Sequence, residues 1–262
     1  MNYFKKTGLL LFVLLLTFSA CKKESNAPDD DETPAADGTI LSKIDYWTVS
    51  TDQTQTIREL VLDANKEINE IKTYSTSGTA LETYTNIEKN ADGKIVKVSG
   101  TRTNDGAPLT WTFEYGSNGK ISKRTQVSGS STFLVRYAYD DSKRLLTVEN
   151  LNNLGTSVTN RTSYTYSGSD TAPVSYKQEN FNPATASTMT TLTYDDKKNP
   201  FQAAHELLYY MGLGEFYTRN VTRQQADNGT SVTYEYTYNA SGYAVSKKGS
   251  NGSGLKFTLI NK

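Results

Sequence analysis

The residues of this 262-residue chain that could carry chemistry are few: two aspartate pairs, one histidine, one cysteine and two tryptophans. Asp140 with Asp141 and Asp195 with Asp196 would serve a glycoside hydrolase if a second carboxylate stood roughly 5 to 9 Å away. His205 is the only histidine, so histidine-pair metal sites and the usual serine or cysteine triads lack their parts. No nucleophile-elbow serine and no P-loop is present. No catalytic residue, no metal ligand and no cofactor is expected. Trp47, Trp111 and the many tyrosines are the remaining binding chemistry, because aromatic faces stack on sugar rings when exposed. Their strict alternation with polar residues instead favours a place in the core.

The elements that must position these residues are hairpins. In "LTWTFEYGSNGKISKR", Leu109, Trp111, Phe113 and Tyr115 alternate with Thr110, Thr112 and Glu114, the two-residue period of a half-buried strand. Gly116 to Gly119 supply turn residues, and Lys120 to Arg124 run back as a polar return strand. "YDDSKRLLTV", "YNASGYAVSK" and "IEKNADGKIVKV" repeat the pattern, and "LVLDANKEINEI" begins it. The anchors Lys89, Tyr115, Tyr139, Tyr166, Tyr194 and Tyr238 are spaced by 26, 24, 27, 28 and 44 residues. Such a period marks a repeat architecture whose units cannot bury their apolar faces alone. About seven hairpins, hence about fourteen strands, follow from the spacing. The paired aspartates come directly after anchor tyrosines, where an aspartate side chain caps a turn.

The fold class is therefore all-β: an antiparallel meander of tandem hairpins. Each tyrosine or tryptophan can bury about 150–250 Å², so the aromatic face must find cover by curling into a barrel-like sheet. Lys120, Lys123, Arg124, Lys247 and Lys248 on return strands are costly in lipid, which argues against a membrane-spanning porin. The 44-residue spacing contains one helical insertion near residues 202–211. There "NPFQAAHELLYYMGLGEFY" breaks the two-residue period, with Gly212 placed to stop the helix. Phe201, Leu207, Leu208 and Met211 are read as a plug or cover for the lumen, with a lid or partner-binding element as the alternative.

Residues 1–20 have a basic start, an apolar core from Leu9 to Phe18 and small residues Ser19 and Ala20 before Cys21, the only cysteine. This is a secretory signal, and its end resembles the lipobox of bacterial lipoproteins. That resemblance implies cleavage between Ala20 and Cys21 and lipidation of Cys21, whose acyl chains would hold the protein to a membrane. Residues 21–39, with the acidic run Asp29 to Glu32, read as a disordered tether, and 40–262 as the hairpin domain. Removing Lys5 and Lys6 with the leader leaves 26 basic against 28 acidic side chains, a balance that does not attract nucleic acid.

From Leu41 onward the chain resembles a family of Bacteroidetes lipoproteins of unknown function with tandem tyrosine hairpins and a porin-like antiparallel sheet. The residues that carry this are "YAY" at Tyr137, "YTY" at Tyr164 and Tyr236, "YDDKKNPF" at Tyr194 and "RNV" at Arg219. The tyrosine hairpins are also similar to the YD repeats of Rhs-type shells. The family resemblance implies no activity. With Lys22 rather than aspartate after the cysteine it implies the outer membrane, and the acidic run implies display on the cell surface. The expectation is a lipid-anchored, non-enzymatic binding or scaffold protein, with a glycan or an envelope protein as partner and Trp47 and Trp111 as candidate binding residues. The alternatives are a carrier of a lipid or other apolar ligand in the lumen and, behind it, a carboxylate-based glycoside hydrolase.

Overall fold

The computed structural model describes residues 38–47, 56–204 and 206–261. Ala20, Cys21, the acidic run and His205 lie outside the described residues.

Sixteen strands follow one another as a meander. They are β1 (Thr39–Trp47), β2 (Thr56–Leu62), β3 (Ile68–Ser75), β4 (Ala80–Lys89), β5 (Ile95–Arg102), β6 (Pro108–Tyr115), β7 (Ile121–Ser128) and β8 (Ser131–Tyr139), continued by β9 (Leu145–Leu151), β10 (Val158–Thr165), β11 (Ser175–Asn180), β12 (Thr188–Lys198), β13 (Arg219–Ala226), β14 (Ser231–Tyr238), β15 (Ala244–Gly249) and β16 (Gly254–Asn261). Each pairs with the next, and β1 pairs antiparallel with β16 from Thr39 against Asn261 to Trp47 against Gly254. The sheet is a closed barrel. The seven hairpins of the repeat pattern are β2 with β3 and so on to β14 with β15. The two strands beyond that count, β1 and β16, are the seam. Neither carries the tyrosine-and-turn pattern, and they meet only across the whole chain.

The turns are built by side chains. Asp63 Oδ1 accepts from the backbone N–H of Asn65 and Glu67. Asn90 does the same for Asp92 and Lys94, and Asn239 for Ser241 and Tyr243. The turns also need a left-handed residue, supplied by Gly93 at φ 79° and, in the hairpin of β8 and β9, by Lys143 at φ 60°.

Each anchor tyrosine ties its hairpin to the one before. The Tyr115 hydroxyl donates to the Ile95 carbonyl, Tyr139 to Ile121, Tyr166 to Leu145 and Tyr194 to Pro173, all at 2.6–2.9 Å. Lys89, which replaces the tyrosine in the first copy, reaches Glu67 of the preceding turn by an ion pair. In the last copy the anchor is not Tyr238 but Tyr236, which donates to Val221; Tyr238 is exposed and donates to Asp195. The turn bases complete the pattern: Lys94 lies over the Tyr115 ring and Arg144 over the Tyr166 ring. The repeated unit is thus a hairpin with a staple, its ring half-buried and its hydroxyl spent on a neighbour's carbonyl.

The aromatic face points inward. Leu109, Trp111 and Phe113 of β6 are buried, as are Val135 and Tyr137 of β8. Burying each such side chain stabilises the fold by roughly 1.5–3 kcal/mol. The insertion between β12 and β13 is a 3-10 turn, Pro200–Ala203, then a single α-helical turn, α1 (Leu207–Tyr210). The helix expected over 202–211 is therefore much shorter. Asn199 caps the 3-10 turn by accepting from the Phe201 N–H, and Gly212 at φ 71° ends α1. Leu207, Leu208, Tyr210, Met211 and Leu213 join the barrel's core cluster, and Phe201 packs edge-on against Phe257. The insertion is a plug, which satisfies in one stroke the apolar faces of many strands.

Candidate functional site

The two faces of the barrel wall differ in chemistry. On the outside, register aligns Glu114, Lys123, Arg136, Glu149, Arg161 and Glu179 across β6 to β11. Lys123 pairs with Glu114 at 2.7 Å, and Glu149 takes both Arg136 at 2.8 Å and Arg161 at 2.7 Å. Burial alone would raise the Glu149 pKa, but the Arg161 and Arg136 guanidiniums outweigh it and hold the carboxyl low. A charge on a lipid-facing position costs up to about 4 kcal/mol, so a belt of six is incompatible with a hydrocarbon band on this wall. A membrane porin puts its apolar residues outside and its polar ones inside; here the wall from β6 to β11 is turned the other way.

Inside, the lining divides in two. From β1 to β9, with β16, it is mostly apolar: Leu41, Ile44, Ile71, Val98, Leu109, Trp111 and their neighbours pack against the plug. From β10 to β15 it is polar and tyrosine-rich. Asn160 bridges Asn150 at 3.3 Å and Asn180 at 2.6 Å, a ladder of amides across three strands. Lys247 is buried, pairs with Glu215 of the plug at 2.6 Å and lies 4.4 Å from the Tyr234 ring centroid. Tyr164 meets Phe216 edge-on at 4.9 Å, and Phe216 packs on Tyr209 and Tyr217.

The plug is held by both linings. Tyr46 donates to the Leu213 carbonyl at 2.8 Å, Arg124 to the Tyr210 carbonyl, and the Tyr139 and Tyr210 hydroxyls share a bond at 2.7 Å. At the opposite end some inward-facing positions reach solvent. Phe133 shares the inward parity of Val135 and Tyr137 yet is 52% exposed, and Gln178 and Asn180, in register with inward Thr162 and Asn160, are exposed as well. Among the described residues, the plug thus occupies one end of the interior, and amides and Phe133 are presented to solvent at the other.

The phenols inside stay neutral. Burial raises Tyr84, Tyr137 and Tyr164 to about 12, and it is likewise the leading cause of the upward shifts of Tyr217 and Tyr236. These groups are hydrogen-bonding partners at physiological pH, not bases. The acidic pairs are engaged at the turns. Asp140 accepts from the Arg144 backbone N–H at 2.8 Å and from its guanidinium at 2.7 Å, which together overcome burial and hold its pKa low. Asp195 accepts from Asn220, from Tyr238 and from the Lys197 N–H. Asp140, held low and spent on a turn, is the reverse of a general acid, which needs a raised pKa. Among the described residues no group of three metal-ligating side chains converges.

Both candidate tryptophans are wedges. Trp111 is buried beneath the Arg124 guanidinium, 5.0 Å from its ring centroid, so its face is not free to stack on a sugar. Trp47 lies across Gly254, where any added Cβ would come 2.0 Å from the ring. The residues that sequence reading passed over are Arg58 and Arg124, which register places on the inward face with Ile44 and Phe113. The available signal was parity: Arg58 shares the period of buried Leu60, and Arg124 is one residue off its outward neighbour Lys123.

No family model and no curated protein matches the chain. Among solved structures it is similar to a porin-like protein from Bacteroides uniformis, with 15% identity over 84% of this chain and 96% of that one and a TM-score of 0.57. A porin-like protein from Bacteroides vulgatus matches at 12% identity over 84% and 98% of the two chains with a TM-score of 0.39. A Photorhabdus luminescens Tc holotoxin pore matches at 12% over 74% of this chain and 11% of that one, with a TM-score of 0.34. The first likeness establishes a shared fold.

Proposed function

We propose that this chain is a lipid-anchored, non-enzymatic binding protein of the bacterial outer membrane, which captures a polar ligand such as a glycan in the end of its barrel opposite the plug. Cys21 is the lipidated residue, exposed by cleavage after Ala20. The observation that carries the reading is the placement of polarity. The outer wall bears paired charges, which suit water and not lipid, while the inward positions exposed opposite the plug include the amides of Gln178 and Asn180, groups that bind sugar hydroxyls. Attachment then falls to the acyl chains, in keeping with the lipobox-like end of the leader. A carrier of apolar ligands is less well supported, because the plug's own Leu207, Leu208 and Met211 fill the apolar lining.

The test has two parts. Cys21→Ser should move the protein from the membrane fraction to the soluble fraction, and protease treatment of intact cells should digest the wild type. The full chain in detergent should bind a subset of a plant, host and bacterial glycan panel. Gln178→Trp, which fills the end opposite the plug, should abolish that binding, while Thr193→Trp on the outer face should leave it unchanged. Binding indifferent to Gln178→Trp would overturn the luminal site.

A further inference from the structure

The arginines among the described residues divide into those on the outer face or in ion pairs and two that face inward without a counter-charge. Arg102, Arg136, Arg144, Arg161 and Arg219 are in ion pairs, and Arg223 is bonded to Gln225 and Ser231 on the outer face. Arg58 and Arg124 point into the barrel and pair with no carboxylate among the described residues. Both side chains are half-buried and their Nε atoms are withdrawn from water without an acceptor, which is costly and makes their surroundings informative. Arg58 stacks on the Tyr46 ring at 4.7 Å and Arg124 on the Trp111 ring at 5.0 Å. Stacking fixes each plane and leaves its N–H edges to bond something else.

The neighbouring groups are donors too. Arg58 Nε, Arg124 Nε, Thr73 Oγ1 and Trp111 Nε1 are all buried without an acceptor, and Thr73 and Trp111 are each only 6% exposed. Thr73 stands directly opposite Arg58 in register. Tyr84 lies between the two arginines' sides: Ile71, two residues before Thr73, is its register partner on β3, and its phenol faces the Trp111 indole. Its hydroxyl donates to Glu82, which stands opposite Thr73 in register. A neutral sugar needs donors and acceptors together, and a cation needs acceptors; two guanidiniums, an indole N–H and a hydroxyl suit an oxyanion.

We propose that Arg58, Thr73, Trp111 and Arg124 form an oxyanion-binding site on the inner wall of the barrel, which receives the carboxylate or sulfate of an acidic glycan entering at the end opposite the plug. The proposal rests on the luminal reading above and specifies its ligand.

The full chain in detergent would be titrated calorimetrically with an oligogalacturonate, a sulfated oligogalactose, the neutral oligogalactose and sodium sulfate. An acidic oligosaccharide should bind saturably, more weakly as salt rises, and at least about tenfold better than the neutral one. Arg58→Gln should weaken it roughly tenfold to a hundredfold, the loss of a charge-assisted hydrogen bond, while Arg223→Gln leaves it unchanged. Arg124→Gln also removes a bond to the plug, so Arg58→Gln is the decisive variant. Equal binding of neutral and acidic sugars, unmoved by Arg58→Gln but lost in Gln178→Trp, would overturn the oxyanion site and leave the luminal reading standing. Sodium sulfate binding as tightly as any sugar would support the site and overturn the glycan as its source. No binding of any of the four would overturn both.

Discussion

The two halves of the lumen solve the same problem by different chemistry. The wall from β10 to β15 is polar, and its groups are satisfied: Asn160 and Asn180 continue a ladder from Asn150 of β9, Lys247 neutralises Glu215, and Tyr194 and Tyr236 are spent on carbonyls. The wall from β1 to β9 is dry, yet the buried donors without an acceptor, Trp47 Nε1, Arg58 Nε, Thr73 Oγ1, Trp111 Nε1 and Arg124 Nε, all lie on it. A polar surface whose amides bond to one another keeps only the edges of exposed Gln178 and Asn180 for a ligand. An apolar surface that keeps unspent donors at a cost is where a ligand has something to supply.

High pH should strike both walls at once and give the largest effect. Tyr164 lies on the polar wall and Tyr84 and Tyr137 on the dry one, and burial raises all three to about 12. A folded pKa above the unfolded value of about 10 means that the stability is fully present below pH about 10 and is lost as the pH rises toward 12. We expect cooperative unfolding in that window, with tyrosinate absorbance rising together with the loss of the β-sheet circular dichroism signal. Ionisation near pH 10 with the sheet intact would mean that these phenols are not buried.

Leu208→Ala, in the plug against the dry wall, should cost about 2–5 kcal/mol in denaturant unfolding. A cost under about 1 kcal/mol would show that the plug does not complete the core. Tyr139→Phe removes a hydroxyl bonded to both the Ile121 carbonyl and Tyr210 and should cost about 1–2 kcal/mol. Tyr238→Phe, at an exposed ring, should cost under about 0.5 kcal/mol. Equal costs for the two would break the assignment of stapling to the anchor tyrosines.

Much of the fold was legible in the sequence because its signals are local. The alternation of Leu109 to Tyr115 and the turn residues from Gly116 to Gly119 set a hairpin within sixteen residues, and the same grammar recurs. Aspartate after an anchor reads as turn chemistry for the same reason, and Asp140 is used so. The seam was not legible, since pairing Thr39 with Asn261 depends on how many hairpins curve between them. The site was not legible either. Lys123 and Arg124 are adjacent bases in a polar return strand, and only the register decides that one faces water and the other the Trp111 ring.

By itself, then, the sequence determined the unit: an aromatic face, a capped turn and a tyrosine placed to reach its neighbour, all fixed by periodicity and short-range hydrogen bonding. The tertiary structure decided closure, the direction of the aromatic face and the inward placing of Arg58 over Tyr46 and of Arg124 over Trp111. Those outcomes rest on contacts between strands far apart in the chain, where burial of the whole face, rather than any one residue's preference, sets the arrangement.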